Sequence, residues 1–384
     1  MKQEKIKVLF VIEKLNHGGA ERQLTELIKG LDHRLFHVTL VIFQKQASLL
    51  SELDKTKGVQ IFLLDKKKRL DGLKILVKSI GLIRSANPDV IHSFIGGTNE
   101  LVLIVAKLLK KPVIWGLRAS NLNFSDYDCI HRYIFKLGAR LSYFTNLIIV
   151  NSSAGRKYYE DNGFSKRRMI VIPNGIDTER YHPDAKAGQI VKEEWGISEK
   201  SIIIGMVGRI IPKKDQETFL KAAYLIKYLH NVFFVCIGAG NDRYQRKLFE
   251  LTKALGLQKK VIWAGLRKEM NSVYNALNIL TLSSAYGEGF PNVLGEAMAC
   301  KIPCVTTDTG DAAYIVDRFG IVVPPRDPKA LADGWTKILD LDQNELNILK
   351  SNARERIINN FGINRFIAST DAALKSVVFA HQKV

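Results

Sequence analysis

The sequence predicts an α/β protein built as two parallel-sheet halves. Short apolar runs of strand length alternate with amphipathic stretches of helix length, the pattern of strands covered by helices on both faces. The alternation pauses once, in a turn-rich segment, and then restarts. A chain of 384 residues is long enough to give each half its own core.

Ile6 to Ile12 is the first buried strand, followed by E-K-L-N-H-G-G-A-E-R and a helix with Leu24, Leu27, Ile28 and Leu31 on one face. Strands then read at Val38–Phe43 and Val59–Leu64, a Lys-rich helix at Leu70–Ser85, and a strand at Val90–His92. A helix at Thr98–Leu109, a strand at Val113–Gly116, a helix at Ile130–Phe144 and strands at Leu147–Val150 and Met169–Ile172 complete the first half. Pro173 to Asp184, P-N-G-I-D-T-E-R-Y-H-P-D, is dense in turn residues and reads as the hinge. The second half repeats the alternation. Strands fall at Ile202–Gly208, Val232–Ile237, Val261–Ala264, Ile279–Leu282, Cys304–Thr306 and Ile321–Val323. Helices run from Gln216 to Tyr228, from the G-A-G-N-D-R loop to Leu255, and from Pro328 onward. The chain ends in helix on both sides of Phe361-Gly362.

Composition narrows the function. Apolar content of 46% and charged content of 25% are those of a soluble globular protein. No apolar run approaches the roughly 20 residues of a membrane span. The opening M-K-Q-E-K-I-K-V-L-F-V-I meets Glu13 and Lys14 too soon for a secretory signal, and reads as a first strand. Cys129, Cys236, Cys300 and Cys304 are too scattered for a disulfide framework or a zinc site, which fits a reducing cytosol. The formal charge is +19; residues 1–178 hold 29 Lys and Arg against 16 Asp and Glu, a net of +13. Such an excess suits nucleic acid, an anionic membrane surface or anionic substrates. No zinc-finger, RNA-recognition or helix-turn-helix signature accompanies it, so nucleic acid is not an expected partner.

Ser283 to Ala299, S-S-A-Y-G-E-G-F-P-N-V-L-G-E-A-M-A, concentrates the chemistry. It leaves a buried strand, turns tightly at Gly287 and Gly289, and opens a helix with Pro291 at the expected first position. The first N–H groups of that helix have no partner within it and point at the loop's occupant. Two acids stand there, Glu288 and Glu296. They suit neutral hydroxyls that donate hydrogen bonds, and a nucleotide sugar offers both hydroxyls and phosphate. In V-G-R-I-I-P-K-K-D, Arg209 and Lys214 follow another buried strand, where a guanidinium fork and an ammonium can clamp a diphosphate. Gly18-Gly19 gives a strand–loop–helix start without G-x-G-x-x-G, so it reads equally as a tight turn. Around Gly238-Ala239-Gly240 the dinucleotide fingerprint fails at Arg243. Asp126-Tyr127-Asp128 has D-x-D spacing but reads as a solvated loop, and no metal is expected. Ligands of parallel sheets sit at the carboxyl ends of strands, which singles out His92 and Arg118.

The spacing from Glu288 to Glu296, with Arg209/Lys214 before it, resembles the paired-glutamate motif of the family 4 retaining glycosyltransferases. That resemblance covers nearly the whole chain, Gly18-Gly19 to the last helix. It implies the GT-B fold, two Rossmann-like domains facing across a cleft, with the C-terminal helix crossing back to the N-terminal domain. The implied domains are 1–178 for the acceptor, 179–360 for the nucleotide sugar, and 361–384 for the returning helix. By the same resemblance, a sugar moves from a nucleoside diphosphate donor, expected to be UDP-linked, with retained configuration and without metal or other cofactor. Arg209 and Lys214 would stabilise the leaving diphosphate, Glu288 would accept from donor-sugar hydroxyls and Glu296 from ribose. Gly18, Gly19, Leu266, Gly289, Phe290, Asn292 and Val293 would complete the donor site. Many members carry a His facing the sugar where this chain has Arg118; that departure makes Arg118, with His92, an acceptor-side candidate.

A glycan or lipid-linked acceptor is expected, at the cytoplasmic face of a membrane. Arg132, Lys136 and Arg140 recur every four residues and form one basic stripe, with Tyr133 and Tyr143 able to sit at a lipid interface. Ile134, Leu137, Leu141 and Phe144 should pack on the sheet. Lys66-Lys67-Lys68-Arg69 forms a second basic cluster, leading into a helix with Lys74 and Lys78. The alternatives are a GT-B nucleotide-sugar epimerase and a catalytically silent GT-B binding protein; two failed glycine fingerprints disfavour a nicotinamide oxidoreductase.

Overall fold

A computed structural model describes residues 4–16, 18–45, 47–53, 56, 58–66, 71–118, 120 and 129–382. The chain divides into two compact units, Met1–Gly175 with Ile363–Val384, and Ile176–Gly362. The first holds seven described strands: β1 (Ile6–Ile12), β2 (Phe36–Ile42), β3 (Val59–Leu63), β4 (Val90–Phe94), β5 (Val113–Leu117), β6 (Leu147–Val150) and β7 (Met169–Val171). They form one parallel sheet in the order β3-β2-β1-β4-β5-β6-β7. Strand β1 shows why the sequence takes this form. Its side chains alternate between two cores, Val8, Phe10 and Ile12 into one and Leu9 and Val11 into the other. Both faces are apolar because both are covered.

The second unit repeats the plan with six described strands: β8 (Ile202–Val207), β9 (Val232–Ile237), β10 (Val261–Gly265), β11 (Ile279–Leu282), β12 (Cys304–Thr307) and β13 (Ile321–Val323). The order is β10-β9-β8-β11-β12-β13, again all parallel. In each sheet the winding reverses beside the first strand, between β1 and β4 and between β8 and β11. A loop leaving one strand of such a pair runs away from the loop leaving the other, which opens a crevice at their carboxyl ends.

The chain crosses between the units at Gly175–Ile176 and Gly362–Ile363. Gln23 fixes the first crossing from its own unit: its amide donates to the Gly175 carbonyl and accepts from the Gly175 N–H, each at 2.8 Å. The last helix, Ile363–Gln382, places Phe366, Leu374, Val377 and Val378 in the core that holds Val8 and Phe10. The chain's end thus returns to the unit that contains its start.

Several elements differ from the sequence expectation. Helices at Ser153–Asp161, Ala185–Glu194 and Met270–Ala276 lack a long apolar stripe and lie where turn residues dominate. Two carry a signal in their caps, since Ser152 accepts from the Gly155 N–H and Asp184 from the Ala187 N–H, each at 3.0 Å. Pro291 is the N-cap of the Asn292–Ala299 helix, one position before the expected one. The Cys129–Leu141 helix tightens into a 3₁₀ turn over Ser142–Phe144. That tightening turns Phe144 away from the sheet, leaving it 60% exposed.

Two helix-interior glycines should respond oppositely to alanine. A Cβ at Gly188 would overlap the Asn275 carbonyl, whereas Gly81 has open space within 4 Å. Gly188→Ala should destabilise by about 1–3 kcal/mol despite better helix propensity, and Gly81→Ala should stabilise by about 0.5–1 kcal/mol. Urea unfolding of the two variants measures both; shifts of the same sign would contradict the packing around Gly188.

Candidate functional site

The crevice between β8 and β11 gathers the charged residues of two separate sequence motifs. After β8 the backbone passes Gly208 and Arg209 and makes a 3₁₀ turn at Pro212–Lys214. Asp215 ends the turn with φ +54 and caps the Gln216–Leu225 helix, accepting from the Thr218 hydroxyl at 2.7 Å. After β11 the chain enters Ser283 and Ser284. The Ser283 hydroxyl donates to the Lys214 carbonyl at 3.0 Å, and the Ala285 N–H donates to the Lys213 carbonyl at 2.9 Å. These bonds join the two loops, and the side chains follow. Lys213 donates to the Gly287 carbonyl at 2.6 Å, while Lys214 Nζ lies 2.7 Å from Glu288 Oε1.

Glu288 is 7% exposed, so its charge needs compensation. Lys214 supplies it, and the Ser284 hydroxyl donates to the same Oε1 at 2.7 Å. Burial pushes the Glu288 carboxyl up, but Lys214 and Lys213 outweigh it and hold the group below its usual range. The loop is held from behind by the turn after β12. The Thr307 hydroxyl donates to the Ser284 carbonyl at 2.7 Å, and the Asp311 N–H donates to the Gly289 carbonyl at 2.9 Å. Gly287 is needed where φ is +75 and Lys213 crosses close by.

Arg209 is exposed beside this pair, and its guanidinium has no hydrogen bond or ion pair among the described residues. Glu296 lies on the helix that follows the loop and accepts from the Tyr274 hydroxyl at 2.6 Å. Phe290 is buried with its ring edge-on to Phe361 at 5.3 Å; Asn292 and Val293 begin the helix and are half-buried. Leu266 is 63% exposed in the turn after β10. Arg267 anchors that turn, bridging Glu269 and Glu194, the latter at 2.6 Å. The Gly238-Ala239-Gly240 glycines serve packing, because a Cβ at either would overlap the Gly208 or Ile210 carbonyl.

The other candidates lie in the first unit. Gly18 and Gly19 begin the Gly19–Gly30 helix at the carboxyl end of β1, and a Cβ at Gly18 would overlap the Glu21 carboxylate. His92 sits inside β4, fully buried, stacked on Phe94 at 4.3 Å; among the described residues neither ring nitrogen has a hydrogen-bond partner. Burial, then the charge of Arg118, holds it well below the usual imidazole range, so it is neutral. Arg118 follows β5, with its guanidinium over Phe94 and Phe366 at 5.2 and 5.9 Å and donating to Asn174 at 2.8 Å. Burial lowers it to about 10, and it has no carboxylate partner among the described residues. Arg132, Lys136 and Arg140 are exposed on the Cys129–Leu141 helix. Lys66 pairs with Glu13 at 2.9 Å and Lys78 donates to the Leu64 carbonyl, while Lys67, Lys68 and Arg69 lie outside the described residues. So do Asp126 and Asp128. Among the described residues no three His, Cys, Asp or Glu side chains are grouped to hold a metal ion.

Sequence reasoning missed Ser284, Lys213, Thr307 and Tyr274. Lys213 was visible as a second lysine beside Lys214. Ser284 stands four positions before Glu288 in the same loop, a spacing within the motif itself, whereas Thr307 and Tyr274 carry no local signal because their partners come from other elements. It also missed Ile95, whose φ of +73 marks a strained turn after β4.

The family profile described as "Glycosyl transferases group 1" matches residues 189–356, and "Glycosyltransferase Family 4" matches residues 17–180. A UDP-Gal:alpha-D-GlcNAc-diphosphoundecaprenol alpha-1,3-galactosyltransferase of Escherichia coli is 23% identical over 94% of each chain. A Campylobacter jejuni alpha-1,4-N-acetyl-D-galactosaminyltransferase, whose name specifies a PP-undecaprenol substrate, is 27% identical over 91% of this chain and 93% of its own. In fold, the crystal structure of Anabaena HepE in complex with UDP superposes with a TM-score of 0.84, at 21% identity, over 97% of this chain and 100% of the other.

The buried pair makes the site sensitive to acid. A folded carboxyl value below the unfolded one contributes stability that is fully present above the unfolded value and is lost as pH falls through the folded value, on the acid side of the ordinary carboxylate range. Lys214→Ala leaves burial with less opposition. The Glu288 carboxyl should then titrate higher than in the wild type, and the variant should lose on the order of 3 kcal/mol at neutral pH. Carboxyl-carbon NMR titration against Glu288→Gln as assignment control tests this; an unmoved titration would refute the pairing.

Proposed function

This chain belongs to the family 4 glycosyltransferases and has their GT-B fold, and on that premise we propose the reaction that its site performs. It moves a sugar from a nucleoside diphosphate sugar, UDP-linked, to a glycan or lipid-linked acceptor in polysaccharide or glycoconjugate biosynthesis. Configuration is retained, no metal takes part, and the group moved is a hexose or N-acetylhexosamine. The Lys214–Glu288 pair carries this reading, with the unpaired Arg209 beside it. Relatives named for diphosphoundecaprenol-linked sugars and the UDP complex of HepE support the donor and acceptor classes.

As the bond from the sugar C1 to the diphosphate oxygen breaks, negative charge grows on that oxygen. Lys214, held by Glu288, is a preorganised cation where that charge grows, and Arg209 adds a second cation that the diphosphate itself engages; charge met in this way stabilises the transition state more than the ground state. The acceptor hydroxyl forms the new bond to C1 and gives up its proton. Glu288 accepts from donor-sugar hydroxyls, held in one orientation by Ser284. Glu296 accepts from ribose. Gly289, Phe290, Asn292 and Val293 present backbone groups to sugar or phosphate, and Leu266 borders the base. On the acceptor side Arg118 offers a guanidinium without a counter-ion, with His92 neutral behind it.

The enzyme works as a peripheral protein at the cytoplasmic face of a membrane. The exposed stripe of Arg132, Lys136 and Arg140, with Tyr133 68%, Tyr143 57% and Phe144 60% exposed, supports this. Cations that face lipid headgroups beside aromatic rings fit an anionic interface. No helix among the described residues is long and apolar enough to cross a membrane.

Glu288→Gln should lower turnover by about 10²–10³-fold, the loss when one transition-state contact is removed. Arg209→Ala should weaken UDP binding while sparing uridine, because its partner is phosphate. Both are read by coupled assay and calorimetry, with EDTA present in one arm. Loss of transfer in EDTA with recovery in manganese would overturn the metal-free reading, and sugar inversion without acceptor would favour an epimerase.

Sedimentation with vesicles tests the membrane face. Binding to anionic phosphatidylglycerol vesicles should fall in high salt and be lost in an Arg132/Lys136/Arg140→Glu variant that still binds UDP. Equal indifference to anionic and neutral vesicles would favour a soluble acceptor.

A further inference from the structure

Glu296 is the one donor-site acid that a neighbouring helix holds by a fully buried hydroxyl. Tyr274 projects from the Met270–Ala276 helix, is 0% exposed, and donates to Glu296 Oε2 at 2.6 Å. That is the length of a strong bond from a hydroxyl to a carboxylate. Burial, then the charge of Glu296, pushes the phenol well above its usual range, so it stays a donor at every working pH.

The ring itself cannot shift. Tyr181 meets it edge-on at 5.9 Å, and its helix is bolted to the segment around Tyr181 by two asparagines. Asn271 accepts from the His182 N–H at 3.0 Å and the Cys300 thiol at 3.3 Å; Asn275 accepts from the Asp184 N–H at 2.7 Å and donates to the His182 carbonyl at 2.9 Å. Gly188 lets the Ala185–Glu194 helix approach the Asn275 carbonyl with no Cβ between them. Arg354 closes the far side, donating to the carbonyls of Tyr181, Thr178 and Ala299.

We infer that Tyr274 is the positioning residue that makes Glu296 a reader of the donor's ribose hydroxyls, setting the enzyme's preference for ribonucleotide over deoxyribonucleotide donors. The inference rests on the proposed ribose role of Glu296. A carboxylate on a short helix can rotate about its own side-chain bonds. A permanent donor at Oε2 fixes its plane, so a ribose diol meets acceptors already oriented and the reorganisation is avoided on binding. Without the phenol, the bond that orients Oε2 is lost and the carboxylate reads the diol less well, although phosphate and base contacts are intact.

The test compares UDP with 2′,3′-dideoxy-UDP by calorimetry on the full chain, in the wild type, Tyr274→Phe and Glu296→Gln. The ratio of the two affinities is the readout, because any general weakening of the fold lowers both alike. The wild type should prefer UDP by about tenfold or more, and Tyr274→Phe should bring the ratio most of the way toward that of Glu296→Gln. A Tyr274→Phe ratio equal to the wild type's, with Glu296→Gln collapsed, would overturn the positioning role and leave the ribose reading standing. Equal ratios in all three would overturn the ribose reading and this inference with it.

Discussion

The second unit is arranged around one requirement, that the buried carboxylate of Glu288 keep a cation against it. At 7% exposure the charge cannot rely on water; burial raises the carboxyl, and the charges of Lys214 and Lys213, helped by the Ser284 hydroxyl, bring it below the usual range. Those lysines follow β8 and the acid follows β11, 74 positions later. They meet only because β8 and β11 are neighbours in the sheet, where the winding reverses. The topology therefore determines the site, and the site's charge balance in turn fixes the loops. Ser283, Ala285 and Thr307 add backbone-directed bonds that hold both loops in register with the strands.

A second regularity concerns how the acids are held. Glu288 accepts from Ser284 and Glu296 from Tyr274, each a hydroxyl that carries no charge of its own. A hydroxyl orients a carboxylate without neutralising it, so the acid keeps its appetite for a ligand's O–H groups. Arg209 contrasts with this, since it is exposed and its guanidinium has no hydrogen bond or ion pair among the described residues. Fixed acids beside an unpaired cation match a ligand that has hydroxyls at its sugars and a diphosphate between them.

The first unit solves a different problem. Arg118 is lowered by burial to about 10 and is steadied by aromatic faces and an asparagine instead of an acid. Asn174 lies one residue before Gly175, where the chain leaves this unit, and Phe366 comes from the helix that returns to it. The guanidinium is thus built into the segment that joins the units. Neighbouring His92 is neutral and enclosed by Phe10 and Phe94, so of these two residues only Arg118 carries a lasting positive charge.

What the sequence alone determined is whatever depends on local period and spacing. Continuous apolar runs located the strands, with Ile6–Ile12, Leu147–Val150, Val232–Ile237 and Ile279–Leu282 at the observed limits because strands inside a covered sheet leave no polar alternation to confuse them; the edge strand Ile321–Val323, although Val322 is exposed, is also an unbroken apolar run. The charged residues Arg209, Lys214, Glu288 and Glu296 were legible as motifs after strand ends. Tertiary structure decided everything that depends on partners distant in sequence. The helices at Ala185–Glu194 and Met270–Ala276 exist through packing on each other and through asparagine bonds, which no stripe announces. Phe144 turned outward because a 3₁₀ turn changed its angle by a fraction of a residue step. Tyr274 became an orienting group only when the fold set it against a carboxylate 22 positions away. A sequence shows which residues can bear charge; only a folded chain decides which of those charges is balanced and which still faces a ligand.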